Sequence, residues 1–239
     1  EMSIALHQAG KCVMTEKPLC ETMDEAERMR EAISPTGPAF MVEHRWLFEA
    51  PFMSLLEHLP ALGRLHWMRM RLGHALDISP GVKTSGALLD MGYHHVYSAL
   101  HLMGPAEGVY ARTGTYVQEG AKDDSGVVVL SHARGTSVLE PNFSSVGPVG
   151  LYRGIELYGE HGAAMVTVSP EQRLWVTPDR KTLQEHEYTV KTGWGVNVIE
   201  RFHRVCLGEA ENPCGIVEGY ATMEVIARAR RSVKDACTH

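Results

Sequence analysis

The sequence predicts an α+β fold, in which a partial α/β unit is followed by an open, mostly antiparallel sheet with helices on one face. Three observations predict it. Helical and strand-like segments alternate over residues 1–43, as in a parallel α/β sheet. From Glu107 to Val190, short β-prone segments follow one another without helices, which indicates antiparallel pairing. Two helical segments close the chain. We therefore expect one domain remnant at 1–43 and a second domain at 44–239.

The first 43 residues carry four predicted elements in the order helix, strand, helix and strand: residues 1–9, 13–14, 23–33 and 39–42. Gly10 ends the first helix, and Pro18 follows the first strand. The second helix has apolar residues at helical spacing and acidic residues in its first turn. Because no N-cap precedes the first helix, we expect the chain to begin inside a longer protein.

The middle of the chain is predicted as helix, strand, loop and helix. Phe52 to Leu59 has helical spacing and precedes a proline. Leu65 to His74 alternates a charged face, with Arg69 and Arg71, against an apolar one, as a half-buried strand does. Asp77 to Thr84 contains Pro-Gly and predicts a loop. Gly86 to Met103 is a long apolar segment that ends at Gly-Pro, and it predicts a helix.

The remaining segments complete the second domain. Seven β-prone stretches are separated by Gly, Pro, Asn and Asp: residues 109–117, 126–130, 136–141, 155–158, 163–168, 174–176 and 186–190. Val196 to Leu207 and Val217 to Ser232 have the spacing of helices.

Composition excludes several classes of protein. Of the 239 residues, 44% are hydrophobic and 22% are charged, which is typical of a globular chain. The net charge of −6 argues against a nucleic-acid partner. Apolar runs are far shorter than the ~20 residues that span a bilayer, so we expect no membrane partner. Five cysteines, an odd number without C-x-x-C spacing, favour the reducing cytoplasm and give no zinc motif.

The helix predicted from Gly86 carries an unusual polar stripe. Asp90 and His94 are four residues apart and therefore share one helix face, which Tyr97 and His101 extend. Because burying such groups is costly unless they are paired, the stripe predicts a cavity or an interface. A carboxylate beside an imidazole suits a general base. The alternative is a half-buried polar face without catalytic function.

Glu16, Lys17 and Pro18 follow the first predicted strand. Ligands of α/β sheets bind beyond the carboxyl ends of the strands, where a lysine can bond a substrate oxygen or lie near a cofactor. The alternative is a solvated surface lysine.

Together these segments resemble a known family. Residues 9–19, AGKCVMTEKPL, resemble its "AGKHVLxEKPL" signature, and residues 89–94, LDMGYH, resemble its "DxGxH" signature. Residues 215–232 are similar to its closing helix. The family is the glucose–fructose oxidoreductase, inositol dehydrogenase and rhizopine-catabolism group, Gfo/Idh/MocA, and the resemblance runs from residue 1 to about residue 234 in the family's order.

The resemblance implies a Rossmann dinucleotide-binding domain, of which residues 1–43 would be the C-terminal part, and a substrate and oligomerisation domain at 44–239. It implies NAD or NADP as cofactor and a sugar or polyol as substrate. Lys17 would contact the reacting hydroxyl and the cofactor, beside Glu16 and Pro18. His94 would accept the proton, and Asp90 would bind substrate or orient His94. The family pairs its sheet faces, which implies a homodimer or homotetramer.

Two further residues are candidates for substrate binding, and the glycine motif of dinucleotide-binding domains is missing. Tyr97 stands where the family often has an acid, and Asn197 begins a helix that approaches the substrate in the family; both are substrate-binding candidates. No G-x-G-x-x-G run occurs in the chain, so we expect these residues alone to bind NADH weakly and to be inactive. The alternatives are a cofactor-free structural or oligomerisation module and an NAD-dependent glycosidase-type variant. We expect no metal site, because no H-x-x-x-H or H-E-x-x-H pattern occurs.

Overall fold

A computed structural model describes residues 1–73, 79–144, 153–169, 171–188 and 196–236. The N-terminal elements are α1 (Met2–Gln8), β1 (Val13–Thr15), α2 (Met23–Ala32) and β2 (Phe40–Val42). β1 and β2 pair in parallel, with Val13 opposite Phe40. This confirms the predicted alternation. α2 begins with a capping box, in which the Thr22 side chain and Glu25 satisfy each other's backbone N–H groups.

The second part of the chain supplies the larger sheet and its helices. The helices are α3 (Ala50–Leu62), α4 (Pro80–Ser85), α5 (Ala87–Met103), α6 (Val196–Cys206) and α7 (Ile216–Ala236). The strands are β3 (Leu65–Gly73), β4 (Ala106–Gly114), β5 (Ser125–His132), β6 (Gly135–Asn142), β7 (Arg153–Gly159), β8 (Ala163–Ser169), β9 (Gln172–Thr177) and β10 (Gln184–Tyr188).

These strands form one sheet in the order β10-β9-β8-β7-β3-β6-β5-β4. The neighbours are antiparallel, apart from β3 and β6, which are parallel. A parallel pair needs a crossover, and α5 with the β4–β5 hairpin provides it. The fold is therefore α+β with a mostly antiparallel sheet, as predicted. The division into domains at residue 43 stays a prediction.

The helices cover one face of the sheet. On β3, Met68, Met70 and Leu72 are buried on this face, while Trp67 on the opposite face is 39% exposed. The alternation predicted for this strand is thereby confirmed. α5 packs on β3 and β6, and α7 packs on β4 and on α5. The core lies between the sheet and these helices.

Three local features differ from the sequence expectations. α4 occupies part of the predicted loop, because Ser79 caps Val82 N–H and Pro80 fits the first helical turn. Residues 77 and 78 of that predicted loop lie outside the described residues, as does His74 at the end of the predicted strand. α3 continues past Pro60 to Leu62, where Gly63 ends it. A 3-10 helix, Arg45–Phe48, joins β2 to α3 and was not predicted.

The last predicted strand lies partly outside the described residues. β10 covers Gln184–Tyr188, whereas residues 189 and 190 are not described.

Candidate active site

The site begins where the two parallel strands end. Lys17 follows β1, and His44 follows β2. The Glu43 N–H donates to the Thr15 carbonyl at 2.8 Å, which keeps the two chains side by side beyond the strands. The peptide bond between Lys17 and Pro18 is cis. The carboxyl edge of parallel strands is where α/β proteins bind ligands.

α5 carries Asp90 and His94, which lie on the other side of the site from Lys17. An aspartate distant in sequence fixes where this helix begins. Asp123 accepts hydrogen bonds from Leu88 N–H at 2.7 Å, through its carboxylate, and from Ala87 N–H at 3.0 Å, through its carbonyl. Gly86, at φ 79°, precedes the helix, and a Cβ there would lie 2.7 Å from the Asp123 carboxylate. This packing positions Asp90 in the first turn.

Lys17 and Asp90 meet across the site. The Lys17 Nζ lies 2.8 Å from Asp90 Oδ1 and 3.0 Å from the Asp90 carbonyl oxygen. The two side chains are 14% and 18% exposed, so the ion pair is reachable from solvent. An ammonium has three donors. Two of these donors bond Asp90, and no other described residue accepts a hydrogen bond from the third.

His94 lies one turn after Asp90 and is only 5% exposed. Its Nδ1 is buried without a hydrogen-bond partner among the described residues. The ring meets His44 edge-on at 6.1 Å between centroids and Trp46 at 6.4 Å. Burial, followed by the Lys17 ammonium, lowers the pKa of His94 well below its usual value. The imidazole is therefore neutral at pH 7 and can accept a proton.

His95, the next residue, has a different environment. Its Nε2 accepts from Leu72 N–H at 3.0 Å, and its Nδ1–H donates to the Met91 carbonyl at 2.7 Å. Burial lowers the pKa of His95 to about 4. Both ring nitrogens are satisfied, so this histidine joins α5 to β3 and has no atom left for a ligand.

Two other predicted residues use their polar groups within the fold. The Tyr97 hydroxyl donates to the Pro213 carbonyl, and its ring stacks on His44 at 3.6 Å. The Asn197 amide donates to the Phe48 carbonyl at 2.9 Å and so joins α6 to the 3-10 helix. Their substrate contacts stay predictions.

Glu16 is exposed and Pro18 is half-buried at the end of β1. The Asp90 carboxylate bonds Lys17, and no described hydrogen bond joins it to His94. The structure thus brings Lys17, Asp90 and His94 to one place. It shows Asp90 as the partner of the lysine, while the functional roles of all three stay predictions.

The sequence analysis did not single out Glu43 and His44, which are both buried beside Lys17. Burial raises the pKa of Glu43, and Arg45, whose Nε lies 3.2 Å from Glu43 Oε1, opposes this. Burial and the Lys17 charge lower the pKa of His44 well below its usual value. One signal was available: both residues directly follow the second parallel strand, as Lys17 follows the first.

Within the part of the chain that the structure describes, no three His, Cys, Asp or Glu side chains converge as metal ligands do. Cys12, Cys20, Cys206 and Cys214 are free thiols. Across the same ranges, none of the helices has the length and apolar character that crossing a membrane requires.

Solved structures share this fold. An oxidoreductase from Agrobacterium radiobacter, in complex with NAD+, L-tartaric acid and magnesium, matches 98% of the chain at a TM-score of 0.83 and 18% identity; the match covers 74% of that protein. The aldose-aldose oxidoreductase from Caulobacter crescentus, complexed with glycerol, matches 98% of the chain at a TM-score of 0.82 and 19% identity, over 73% of its length.

Curated proteins match at the sequence level. A scyllo-inositol 2-dehydrogenase (NADP+) from Bacillus subtilis is 26% identical over 178 residues, which are 70% of this chain and 52% of the relative. A levoglucosan dehydrogenase from Pseudarthrobacter phenanthrenivorans is 27% identical over 148 residues, which are 56% of this chain and 38% of the relative. The chain thus spans about half the length of the first of these relatives, and less of the second.

The family's own sequence profile matches as well. The profile described as the GFO/IDH/MocA C-terminal domain covers residues 60–165, from the end of α3 to the start of β8. This range includes α5 with Asp90 and His94. Residues 60–165 therefore match the Gfo/Idh/MocA family, and the sequence relatives and the shared fold agree with the resemblance found in the sequence.

Proposed function

We propose that this chain carries the substrate-facing part of an NAD(P)-dependent oxidoreductase, which transfers a hydride between a nicotinamide cofactor and a hydroxyl-bearing carbon of a sugar or polyol. The observation that carries the proposal is the Lys17 ammonium near the neutral His94. Asp90 holds this ammonium at 2.8 Å, and no described residue accepts its third proton. The names of the curated relatives, dehydrogenases of scyllo-inositol and levoglucosan, support the reaction class.

In this proposal Lys17 orients and polarises the reacting hydroxyl. Two of its protons bond Asp90, and the third donates to the substrate oxygen. The positive charge stabilises the alkoxide that develops as the hydroxyl loses its proton. Asp90 fixes the ammonium in place, because it binds through both its carboxylate and its backbone carbonyl.

His94 accepts the hydroxyl proton in the oxidation direction and returns it in the reduction direction. A general base must be unprotonated before it can accept a proton. Burial and the Lys17 charge keep the imidazole in that form at neutral pH. As the proton moves to His94, the carbon gives up its hydride, and the hydroxyl becomes a carbonyl.

The residues at the end of β1 fit the nicotinamide end of the cofactor. The nicotinamide supplies the hydride acceptor when bound. Glu16 is exposed, and within the described ranges the third Lys17 donor and buried polar atoms of Glu43, His44 and His94 have no partner. Such groups suit the carboxamide of the nicotinamide and the hydroxyls of the substrate, which would meet at this position. Because the chain contains no G-x-G-x-x-G run, none of its residues is assigned to the pyrophosphate.

The function is tested with protein expressed from the complete reading frame. We expect reduced nicotinamide to form when the protein is mixed with NADP+ or NAD+ and a panel of polyols and sugars that includes scyllo-inositol and levoglucosan. The measurement is the absorbance of the reduced cofactor. No reduction with either cofactor across the panel would contradict the proposal and favour the structural module.

The open face of the sheet supports a proposal about assembly, namely that a second copy of this chain covers it in a homodimer or homotetramer. Trp67 lies opposite Tyr158 on β3 and β7, and both are exposed, at 39% and 44%. Two exposed aromatic side chains side by side at the centre of the sheet support an interface on this face. We expect sedimentation equilibrium to show a dimer or tetramer at micromolar concentration, and a Trp67→Lys variant to shift it toward monomer. A wild-type monomer would contradict this.

Free thiols at the described cysteines fit a cytoplasmic setting, which stays a prediction.

A further inference from the structure

Three buried polar atoms near Lys17 have no hydrogen-bond partner among the described residues. They are Glu43 Oε2, His44 Nε2 and His94 Nδ1. Buried polar groups are normally bonded, so each such atom calls for an explanation. Three of them around one ammonium point to a polar ligand with several hydrogen-bonding groups.

His44 is the most firmly held of the three. Its ring stacks on Tyr97 at 3.6 Å and on Tyr93 at 5.2 Å between centroids, so the two phenols fix its plane. The residue is 2% exposed. Nε2 lies on the edge of this ring, and it has no hydrogen-bond partner among the described residues.

His44 lies close to Lys17 and His94, which we propose as the reacting groups. It follows β2 as Lys17 follows β1, and the Lys17 ammonium acts on the pKa of both His44 and His94. The His44 and His94 rings lie 6.1 Å apart at an angle of 78°. Since a hydrogen bond spans about 2.7–3.2 Å, the two rings can bond different hydroxyl groups of one small molecule.

We propose that His44 is a specificity-determining residue, whose Nε2 bonds the hydroxyl next to the reacting one, so that the site selects vicinal diols. Glu43 pairs with Arg45 through one carboxylate oxygen, and its other oxygen, Oε2, is buried without a described partner next to His44 in the chain. This inference rests on the proposed function, because it takes Lys17 and His94 as the groups that hold the reacting hydroxyl. A buried water bonded to Nε2 is the competing explanation.

The test compares trans-1,2-cyclohexanediol with cyclohexanol, which has no neighbouring hydroxyl in any binding register. We expect wild-type protein from the complete reading frame to favour the diol in kcat/KM per hydroxyl by about tenfold, the value of one good hydrogen bond. His44→Leu should reduce this ratio to about twofold or less, mainly by raising KM for the diol. His44→Gln, which retains a polar group, should preserve most of the ratio. Because the ratio is internal to each variant, loss of folded protein does not affect it.

His132 supplies the matched control. It is also buried, but its ring nitrogens are bonded to the Gly104 carbonyl and the Ser137 hydroxyl. His132→Gln should leave the ratio unchanged. If His44→Leu also leaves it unchanged, or if the wild type does not discriminate between the two compounds, Nε2 bonds only a water and the inference is overturned. Turnover of either compound would still uphold the proposed function, whereas no turnover of any substrate in the panel would overturn both.

Discussion

Replacing Lys17 by methionine is expected to lower kcat/KM for polyol oxidation by about 10³-fold, the loss typical when a preorganised charged donor is removed. Methionine keeps most of the length of the side chain and removes its charge. The substrate oxygen then loses the hydrogen bond that we propose it accepts from Lys17. The developing alkoxide also loses its nearest cation. The measurement is steady-state kinetics with reduced nicotinamide as the readout, in protein from the complete reading frame.

Lys11→Met is the matched control. Lys11 lies on the same N-terminal unit and is exposed, so this variant makes the same change in charge away from Asp90. We expect its kcat/KM to stay within about twofold of the wild type. Lys17→Met also leaves the Asp90 carboxylate without its cation, so thermal unfolding is measured for both variants. A folded Lys17→Met protein that keeps its activity within about tenfold would remove Lys17 from the proposed site.

Much of the site could be predicted because its residues lie in strongly patterned segments. The spacing from Asp90 to His94 places both on one face of a helix, and the segment from 87 to 103 is helical as expected. The proline after Lys17 and the short strand before it placed the lysine at a strand end. That the two segments meet could not be predicted from spacing. It came from the resemblance, and the 2.8 Å contact agrees with it.

Other features depend on contacts that are distant in sequence, and local patterns do not report these. α5 begins where it does because Asp123, more than thirty residues later, bonds its first turn. The parallel pairing of β3 with β6 depends on a crossover through α5. His44 resembles any loop histidine until the stacking of Tyr93 and Tyr97 on its ring is seen. Sequence reasoning found Lys17 and His94, but not His44 or the two tyrosines that stack on it.

His94→Gln is expected to lower kcat by about 10²–10⁴-fold, the contribution of general-base catalysis. Glutamine can still form a hydrogen bond, but it cannot take up the hydroxyl proton. KM should change less, because Lys17 still binds the reacting oxygen. His95→Gln, one residue further along, is the control: His95 is equally buried, but its nitrogens bond Leu72 and Met91. Its kcat should remain within a few fold of the wild type, while its free energy of unfolding falls by about 1–3 kcal/mol.

The pH dependence of stability shows whether each substitution has removed a buried neutral imidazole. The pKa of His95 is about 4 in the folded protein, against about 6.5 in an unfolded chain. Its contribution to stability is therefore fully present above pH 6.5 and is lost as the pH falls toward 4, at about 1.4 kcal/mol per pH unit. The pKa of His94 is lowered in the same direction. Urea unfolding at pH 7.5, 6.5 and 5.5 should show a shallower loss of stability in both variants than in the wild type. Activity should distinguish them, because kcat falls in His94→Gln alone. A kcat of His94→Gln within a few fold of the wild type would show that the His94 imidazole is structural, as that of His95 is.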